Sequence, residues 1–304
     1  MTGWIIIRNQ VNNTSTLNEY SLRRLHESAA AEGLNVHIYS PNQFKPFVSL
    51  GEQNSIYLCG KQTPLPDFVL VRMGSKIEYD GLSLIRHFQS LGIPIFNKPD
   101  SIEKVKDKLY TAQLLLKAGL PFPATMLCTE SIDWQLVSEK IGFPLVLKTI
   151  SGSKGEGVIL CQNKEQISEL VLFFNASHYN GNFILQQFIS DSFGRDIRVF
   201  VVGNKAVAAM KRSASDGSFK ANFSRGGHVE NYPITQELSN LAIRIKDVFQ
   251  LDLCGIDLLF HENGFMVCEV NSCPGFEGLE SCTNTDVARE IFIHIKKELT
   301  QKLI

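Results

Sequence analysis

The 304-residue chain has no apolar run long enough to span a bilayer, which argues against a helical membrane protein. It also lacks an excess of either charge. Thirty basic residues face thirty-one acidic ones, for a formal net charge of -1. No general affinity for nucleic acid or an anionic membrane is expected, and any positive potential has to be local to a cleft. Its seven cysteines are scattered and include no C-x-x-C pair, which disfavours a disulfide framework or a zinc ribbon and fits a reducing compartment. Cys254 and Cys268 lie in apolar, strand-like runs, where a free cysteine acts as a small hydrophobe. No charged leader precedes the short run Trp4-Ile5-Ile6-Ile7, which reads as a buried strand rather than a signal peptide. The sequons at Asn175 and Asn222 are therefore expected to be chance matches, and the protein to be cytoplasmic. Internal repeats and low-complexity tracts are absent.

What is present is an ordinary globular composition, 44% hydrophobic and 20% charged, in a length that suits two or three lobes. Strand and helix signals alternate, which predicts an α/β protein. A first region, 1–98, shows strands at Trp4–Arg8, Asn35–Tyr39, Phe68–Val71 and Pro94–Phe96, with helices at Thr16–Glu32 and Gly81–Leu91. The turn Asn97-Lys98-Pro99-Asp100-Ser101 marks a boundary. A small middle region, 99–182, opens with a helix Ile102–Ala118 and contains the strands Pro144–Thr149 and Val158–Cys161. The third region, 183–304, has strands at Phe183–Phe188, Ile197–Val202 and Lys205–Lys211, then a long polar loop. A helix Thr235–Phe249, strands Gly255–His261 and Phe265–Val270, and a closing helix near Asp286–Leu303 complete it.

Three segments carry chemistry. The loop Ser151-Gly152-Ser153-Lys154-Gly155-Glu156-Gly157 matches neither the phosphate loop G-x-x-x-x-G-K-[ST] nor G-x-G-x-x-G. It joins strand to strand, so it is either a hairpin whose backbone N–H groups cover phosphates or an ordinary turn. Lys148 ends the apolar run Pro144-Leu145-Val146-Leu147 immediately before this loop. A buried ammonium there calls for an anionic partner such as a nucleotide phosphate, unless it snorkels to solvent.

The second segment runs from Gly255-Ile256-Asp257-Leu258-Leu259-Phe260 to Phe265-Met266-Val267-Cys268-Glu269-Val270-Asn271. Two apolar strands carry three polar interruptions. Glu269 and Asn271 are two apart and share a face, and hard oxygen ligands so placed suit Mg²⁺. A three-residue loop, Glu262-Asn263-Gly264, sets Asp257 opposite Glu269, whereas a two-residue Asn263-Gly264 turn sets it opposite Val270. The metal reading thus requires the three-residue loop. The third segment, Gly194-Arg195-Asp196-Ile197-Arg198 with Lys211-Arg212 and Lys220 to Gly227, gathers cations and glycines. It is either a solvated basic loop or a site for a developing oxyanion.

Taken in order, these residues resemble the ATP-grasp superfamily and, within it, the RimK-type amino-acid ligases. The resemblance rests on Asp107-Lys108, Lys148 with its glycine loop, Gly194-Arg195-Asp196-Ile197-Arg198-Val199, Phe219 to Gly227, and Glu269-Val270-Asn271-Ser272-Cys273-Pro274-Gly275-Phe276-Glu277-Gly278. It extends over essentially the whole chain and includes Val71-Arg72-Met73-Gly74. It implies an ATP-grasp fold: an N-terminal pre-ATP-grasp domain, a small central lid domain and a C-terminal α+β domain.

The resemblance also implies roles. Lys108 and Lys148 would contact ATP phosphates beneath the loop carrying Ser153 and Gly155. Gln187 and Phe188 would hold the adenine edge, with Gln187 standing where an acidic residue is usual. Asp196 would lie near the ribose, and Lys220, Ala221 and Asn222 near the nucleotide. Asp257, Glu269 and Asn271 would bind two Mg²⁺ ions, with Mn²⁺ able to substitute. Arg225 and Arg212 would stabilise the acyl phosphate, and Arg72 and Arg198 would bind substrate carboxylates. The expected activity is ATP-dependent ligation of an amine, L-glutamate, to a carboxylate acceptor that is a protein C-terminus, a peptide or a small molecule. Nucleic acid and membrane are not expected as partners, and a homo-oligomer is left open. The competing readings are a ligase for another amino acid, acting on aminoadipate or a cofactor tail, and a nucleotide-binding regulatory protein without turnover.

Overall fold

The computed structural model describes residues 1–8, 19–51, 55–74, 77–128, 132–152, 155–176, 181–221 and 226–301. The run Trp4-Ile5-Ile6-Ile7 is buried throughout, as a strand covered on both faces must be. It forms β1 (Thr2–Ile7). After it come α1 (Tyr20–Ala31), β2 (Asn35–Tyr39), a small antiparallel meander of β3 (Phe44–Pro46), β4 (Ile56–Leu58) and β5 (Lys61–Gln62), then β6 (Phe68–Arg72), α2 (Tyr79–Ser90) and β7 (Ile95–Phe96). The main sheet is parallel, in the order β2-β1-β6-β7. Leu22, Leu25 and Ala29, spaced by three and four, bury one stripe of α1.

The single helix expected over Ile102–Ala118 is two helices, α3 (Pro99–Lys106) and α4 (Lys108–Lys117). Asp107 breaks them apart. Its backbone is extended (φ -96°, ψ 113°), and its carboxylate accepts from Tyr110 N at 2.9 Å, capping α4. Next come β8 (Thr125–Cys128), α5 (Trp134–Lys140), β9 (Leu145–Thr149), β10 (Val158–Cys161), α6 (Lys164–Ala176) and β11 (Phe183–Gln187). These strands form an antiparallel sheet in the order β10-β9-β11-β8. β11, expected in the third region, pairs with β9 (Leu185 opposite Leu147) and β8 (Leu185 opposite Met126). A boundary at 182 would cut this sheet through its centre.

The last sheet is antiparallel, in the order β14-β13-β12-β15-β16, from β12 (Arg195–Val202), β13 (Lys205–Ser213), β14 (His228–Asn231), β15 (Leu253–His261) and β16 (Gly264–Asn271). β14 interrupts what reads in sequence as one long polar loop. With α7 (Gln236–Phe249), α8 (Glu277–Cys282) and α9 (Val287–Gln301), both faces of the sheet are covered. One face packs Phe200, Val202 and Met210 against α9 in a core continuous with Ile5 and Phe68 of the first sheet. The other packs Val199, Val201 and Ala209 against α7. At the junction Asn97 is buried, donating to Leu253 O (2.7 Å) and Ser272 O (2.8 Å) and accepting from Asp252 N (2.6 Å) and Leu253 N (2.9 Å). It fixes the start of β15 to the end of β16. Among the described residues, no helix is long and apolar enough to cross a membrane.

Candidate active site

A cleft of about 900 Å³, open to solvent, lies between the middle sheet and the C-terminal sheet. The break at Asp107 delivers Lys108 to it. The backbone N–H of Lys108 donates to Ile150 O (3.1 Å), and its ammonium lies 3.6 Å from Glu269 Oε1 and 3.5 Å from Gly152 O. Lys148, at the end of β9, is 7% exposed. Its ammonium donates to Gln186 Oε1 at 2.6 Å and lies 3.7 Å from Cys268 Sγ. Both neighbours are uncharged groups, and burial pushes the Cys268 thiol up, against the pull of Lys148. The snorkelling alternative for Lys148 is removed.

The glycine loop folds back over β9, with Thr149 N donating to Gly157 O at 2.9 Å. Gly157 has φ +64°, and a Cβ there would stand 2.6 Å from Thr149 Oγ1, so no side chain fits. Lys220 donates to Gly155 O at 3.1 Å, tying the segment after β13 to the loop. Ala221 also lines the cleft, while Ser153, Asn222 and Arg225 lie outside the described residues. Gln187 pairs with Ala124 through its backbone N–H (2.8 Å) and through its side-chain oxygen (3.3 Å), and Phe188 continues along the same wall.

Opposite stands a buried knot of four charges. Arg198 donates twice to Asp257, at 2.7 Å from Nε and 2.7 Å from NH2. Arg212 donates twice to Asp196 at 2.6 Å, and its NH2 reaches Asp257 Oδ2 at 3.0 Å. Burial by itself would raise the Asp257 carboxyl, but Arg198 and then Arg212 outweigh it and hold it at about 2. Asp196 moves the other way. Burial raises it and Asp257 adds to the effect, with Arg212 opposing. Burial lowers Arg212 less than Asp257 and Asp196 raise it, so its guanidinium stays charged.

Asp257 lies directly opposite Glu269, as the metal reading requires, but by a different route. The turn is the two residues Glu262-Asn263, with His261 opposite Gly264. That register alone would leave the carboxylates out of step. A β-bulge at Cys268 restores them. The expected three-residue loop is thus corrected to a shorter turn plus a bulge. Asn271 sits opposite Gly255 on the Glu269 face, its amide 3.5 Å from Gly255 O.

Neither Arg72 nor Arg198 lines the cleft. The Arg198 fork is engaged by Asp257. Arg72, at the end of β6, donates to Pro274 O at 2.9 Å and lies over the Phe276 ring at 5.8 Å. Gln186 and Cys268 line the cleft without a site role in the sequence reading, Cys268 being read there only as a small hydrophobe. Gln186 had a signal, a polar residue closing the apolar run Phe183-Ile184-Leu185. Cys268 had none, because a bulge leaves no mark in composition.

The RimK-like ATP-grasp domain matches residues 105–295, and the RimK pre-ATP-grasp domain matches residues 13–102. A Shewanella amazonensis protein named "Probable alpha-L-glutamate ligase 1" is 34% identical over 284 residues, 93% of each chain. One of the same name from Shewanella denitrificans is 37% identical over 280 residues, 91% of this chain and 94% of its own. Among solved structures, the ATP-grasp ligase PsnB complexed with minimal precursor superposes with a TM-score of 0.74 at 17% identity, over 97% of this chain and 99% of that one. The last of these shows the α/β ATP-grasp fold, and the first two show kinship over almost the full length. The chain belongs to the RimK-like ATP-grasp family of ATP-dependent ligases.

Proposed function

We propose that this ligase joins L-glutamate, as the incoming amine, to a carboxylate-bearing acceptor through an acyl phosphate. The observation that carries the ligase chemistry is the pairing of opposites across the cleft. A buried ammonium with uncharged neighbours, Lys148, faces the Asp257–Glu269 pair. The choice of glutamate rests on the names of the relatives. The arginines add little to that choice, since Arg198 and Arg212 are engaged by Asp257 and Asp196, and Arg72 donates to Pro274 O.

In this reading Lys108, Lys148 and the N–H groups around Gly155 hold the ATP phosphates. Gln187 and Phe188 flank the base, Asp196 lies toward the ribose, and Lys220 and Ala221 close the nucleotide side. Asp257, Glu269 and Asn271 offer two carboxylates and an amide from adjacent strands. These donors are few and hard, as Mg²⁺ accepts when waters and phosphates complete its shell. We place two Mg²⁺ ions there, with Mn²⁺ able to replace them. Bound metal supplies charge neutralisation at the phosphate oxygens.

The chain's own residues do the rest. Arg198 and Arg212 keep Asp257 ionised and aligned. The lysines and the loop orient the γ-phosphoryl group for attack by an acceptor carboxylate oxygen, and ADP leaves. The glutamate nitrogen then attacks the acyl carbon, loses a proton and expels phosphate. The middle sheet with its glycine loop acts as a lid that keeps water from the intermediate. This assigns residues 1–98 to substrate, 99–187 to the lid, extended to include β11, and 188–304 to the metal side.

The test is ADP release with each amino acid in turn as amine donor beside a panel of carboxylate acceptors that includes peptide C-termini. Glutamate-dependent release is expected. A preference for a neutral or basic amino acid would refute the substrate assignment and leave the ligase chemistry standing.

A further inference from the structure

The environment of Lys148 contains a chain of hydrogen bonds with only one allowed direction. Thr125 on β8 and Gln186 on β11 are paired neighbours, and Lys148 on β9 stands diagonally across from Gln186. The Thr125 hydroxyl donates to Pro123 O at 2.8 Å. A carbonyl cannot donate, so that contact uses the only hydroxyl proton and leaves Thr125 Oγ1 as an acceptor. The Gln186 amide nitrogen donates to Oγ1 at 2.9 Å. Its carbonyl oxygen must then face the other way, where it accepts from the Lys148 ammonium at 2.6 Å. The ammonium, which can only donate, and Thr125 Oγ1, which here can only accept, thus set the same amide orientation from its two ends.

The second feature is charge. Lys148 and Gln186 are both 7% exposed, and among the described residues no carboxylate lies within ion-pairing distance of Lys148. A carboxylate at 186 would accept the same hydrogen bond but cancel the charge. The carboxamide holds the ammonium in place and leaves its charge for a ligand.

We propose that Thr125 and Gln186 are positioning residues: a one-way relay that fixes Lys148 while keeping its charge uncompensated for a polyphosphate. This rests on the ATP-dependent reading of the same cleft. The relay acts on the phosphates, not on the base, which gives it a readout that a base-contacting or purely structural role would not move.

The experiment is calorimetric titration of the full-length protein with ATP and, separately, with tripolyphosphate, which lacks base and ribose. Gln186→Glu should weaken both by about 10-fold or more, the scale of one charge-assisted contact, with an unfolding midpoint no lower than wild type. Thr125→Val, which leaves the Gln186 amide nitrogen without its acceptor and so loosens the side chain that holds Lys148, should weaken both several-fold, and Thr125→Ser, which keeps the hydroxyl, should bind like wild type. Unchanged binding by Gln186→Glu and Thr125→Val would overturn the relay alone. Loss confined to ATP would also overturn it, by placing Gln186 at the base. Failure of the wild-type protein to bind ATP would remove the nucleotide reading, and the relay with it.

Discussion

On the cleft wall built from β12, β13 and β15, the two arginines of the buried knot each have an anion. Arg198 is fastened to Asp257, and Arg212 bridges Asp196 and Asp257, all four with little solvent contact. On the facing wall, built from β9 and β11, Lys148 is just as deeply buried but touches an amide and a thiol. Similar burial therefore serves two ends. The first wall holds its charges in place through one another, so removing one strands the rest. The second, among the described residues, leaves a charge without a counterion, so its cost is carried until an anion arrives.

The sharpest way to break this comparison is to remove one cation from each wall. Arg212→Met should destabilise the fold by about 3–5 kcal/mol, the cost of leaving the buried Asp196 carboxylate without its partner, and abolish turnover. Lys148→Met should leave urea unfolding unchanged or shift it slightly upward, while ATP binding weakens by roughly 10- to 100-fold. Equal losses of stability in the two variants would show that the walls do not differ as described.

Acid separates them next. Asp257 is held near 2 from an ordinary 3.8, so its ionised form is favoured by folding. A carboxyl depressed in the folded state contributes stability that is present above pH 4 and is lost as pH falls from about 4 to about 2. The size is about 2 kcal/mol. Asp196 is raised, so its contribution has the opposite sign and offsets part of this in the wild-type curve. Comparing metal-free wild type with Asp257→Asn reports Asp257 together with the part of the Asp196 shift that the Asp257 charge causes. The stability difference should shrink across that pH window, and a constant difference from pH 5 to 2 would count against the two-arginine clamp.

Much of this contrast was visible in sequence, and the reasons it was not fully so are local. Lys148, Asp257 and Glu269 stood out because each interrupts an apolar run, and period-2 side-chain geometry then dictates which face they leave. The small strands β3 to β5 were missed because two or three residues are too few to show alternation. Asp107 was read into a continuous helix although Asp is a strong N-cap, and the break it makes is what brings Lys108 to the cleft. The turn was miscounted because a bulge at Cys268 shifts register by one without altering the pattern of apolar residues. Which arginines are already paired is not legible in sequence, and only the fold shows Arg198 against Asp257 and Arg212 against Asp196 and Asp257.

The smallest expected effect, and the one that tests the open wall most directly, is the response to salt. Raising KCl from about 0.1 M to about 1 M shortens the Debye length from about 10 Å to about 3 Å. Ions reach an open cleft and compete there with a polyphosphate, whereas the Arg212 guanidinium, 2% exposed, is inaccessible to them. ATP affinity should therefore fall several-fold over this range, because part of the binding free energy is the attraction of Lys148 and Lys108 for phosphate. In Lys148→Met the residual affinity should fall less steeply with salt, since one of the responding charges is gone. The unfolding difference between wild type and Asp257→Asn, which reports the paired wall, should hold nearly constant. Parallel salt slopes for wild type and Lys148→Met would mean that the ammonium does not meet the phosphates, leaving Lys108 and the loop amides to hold them.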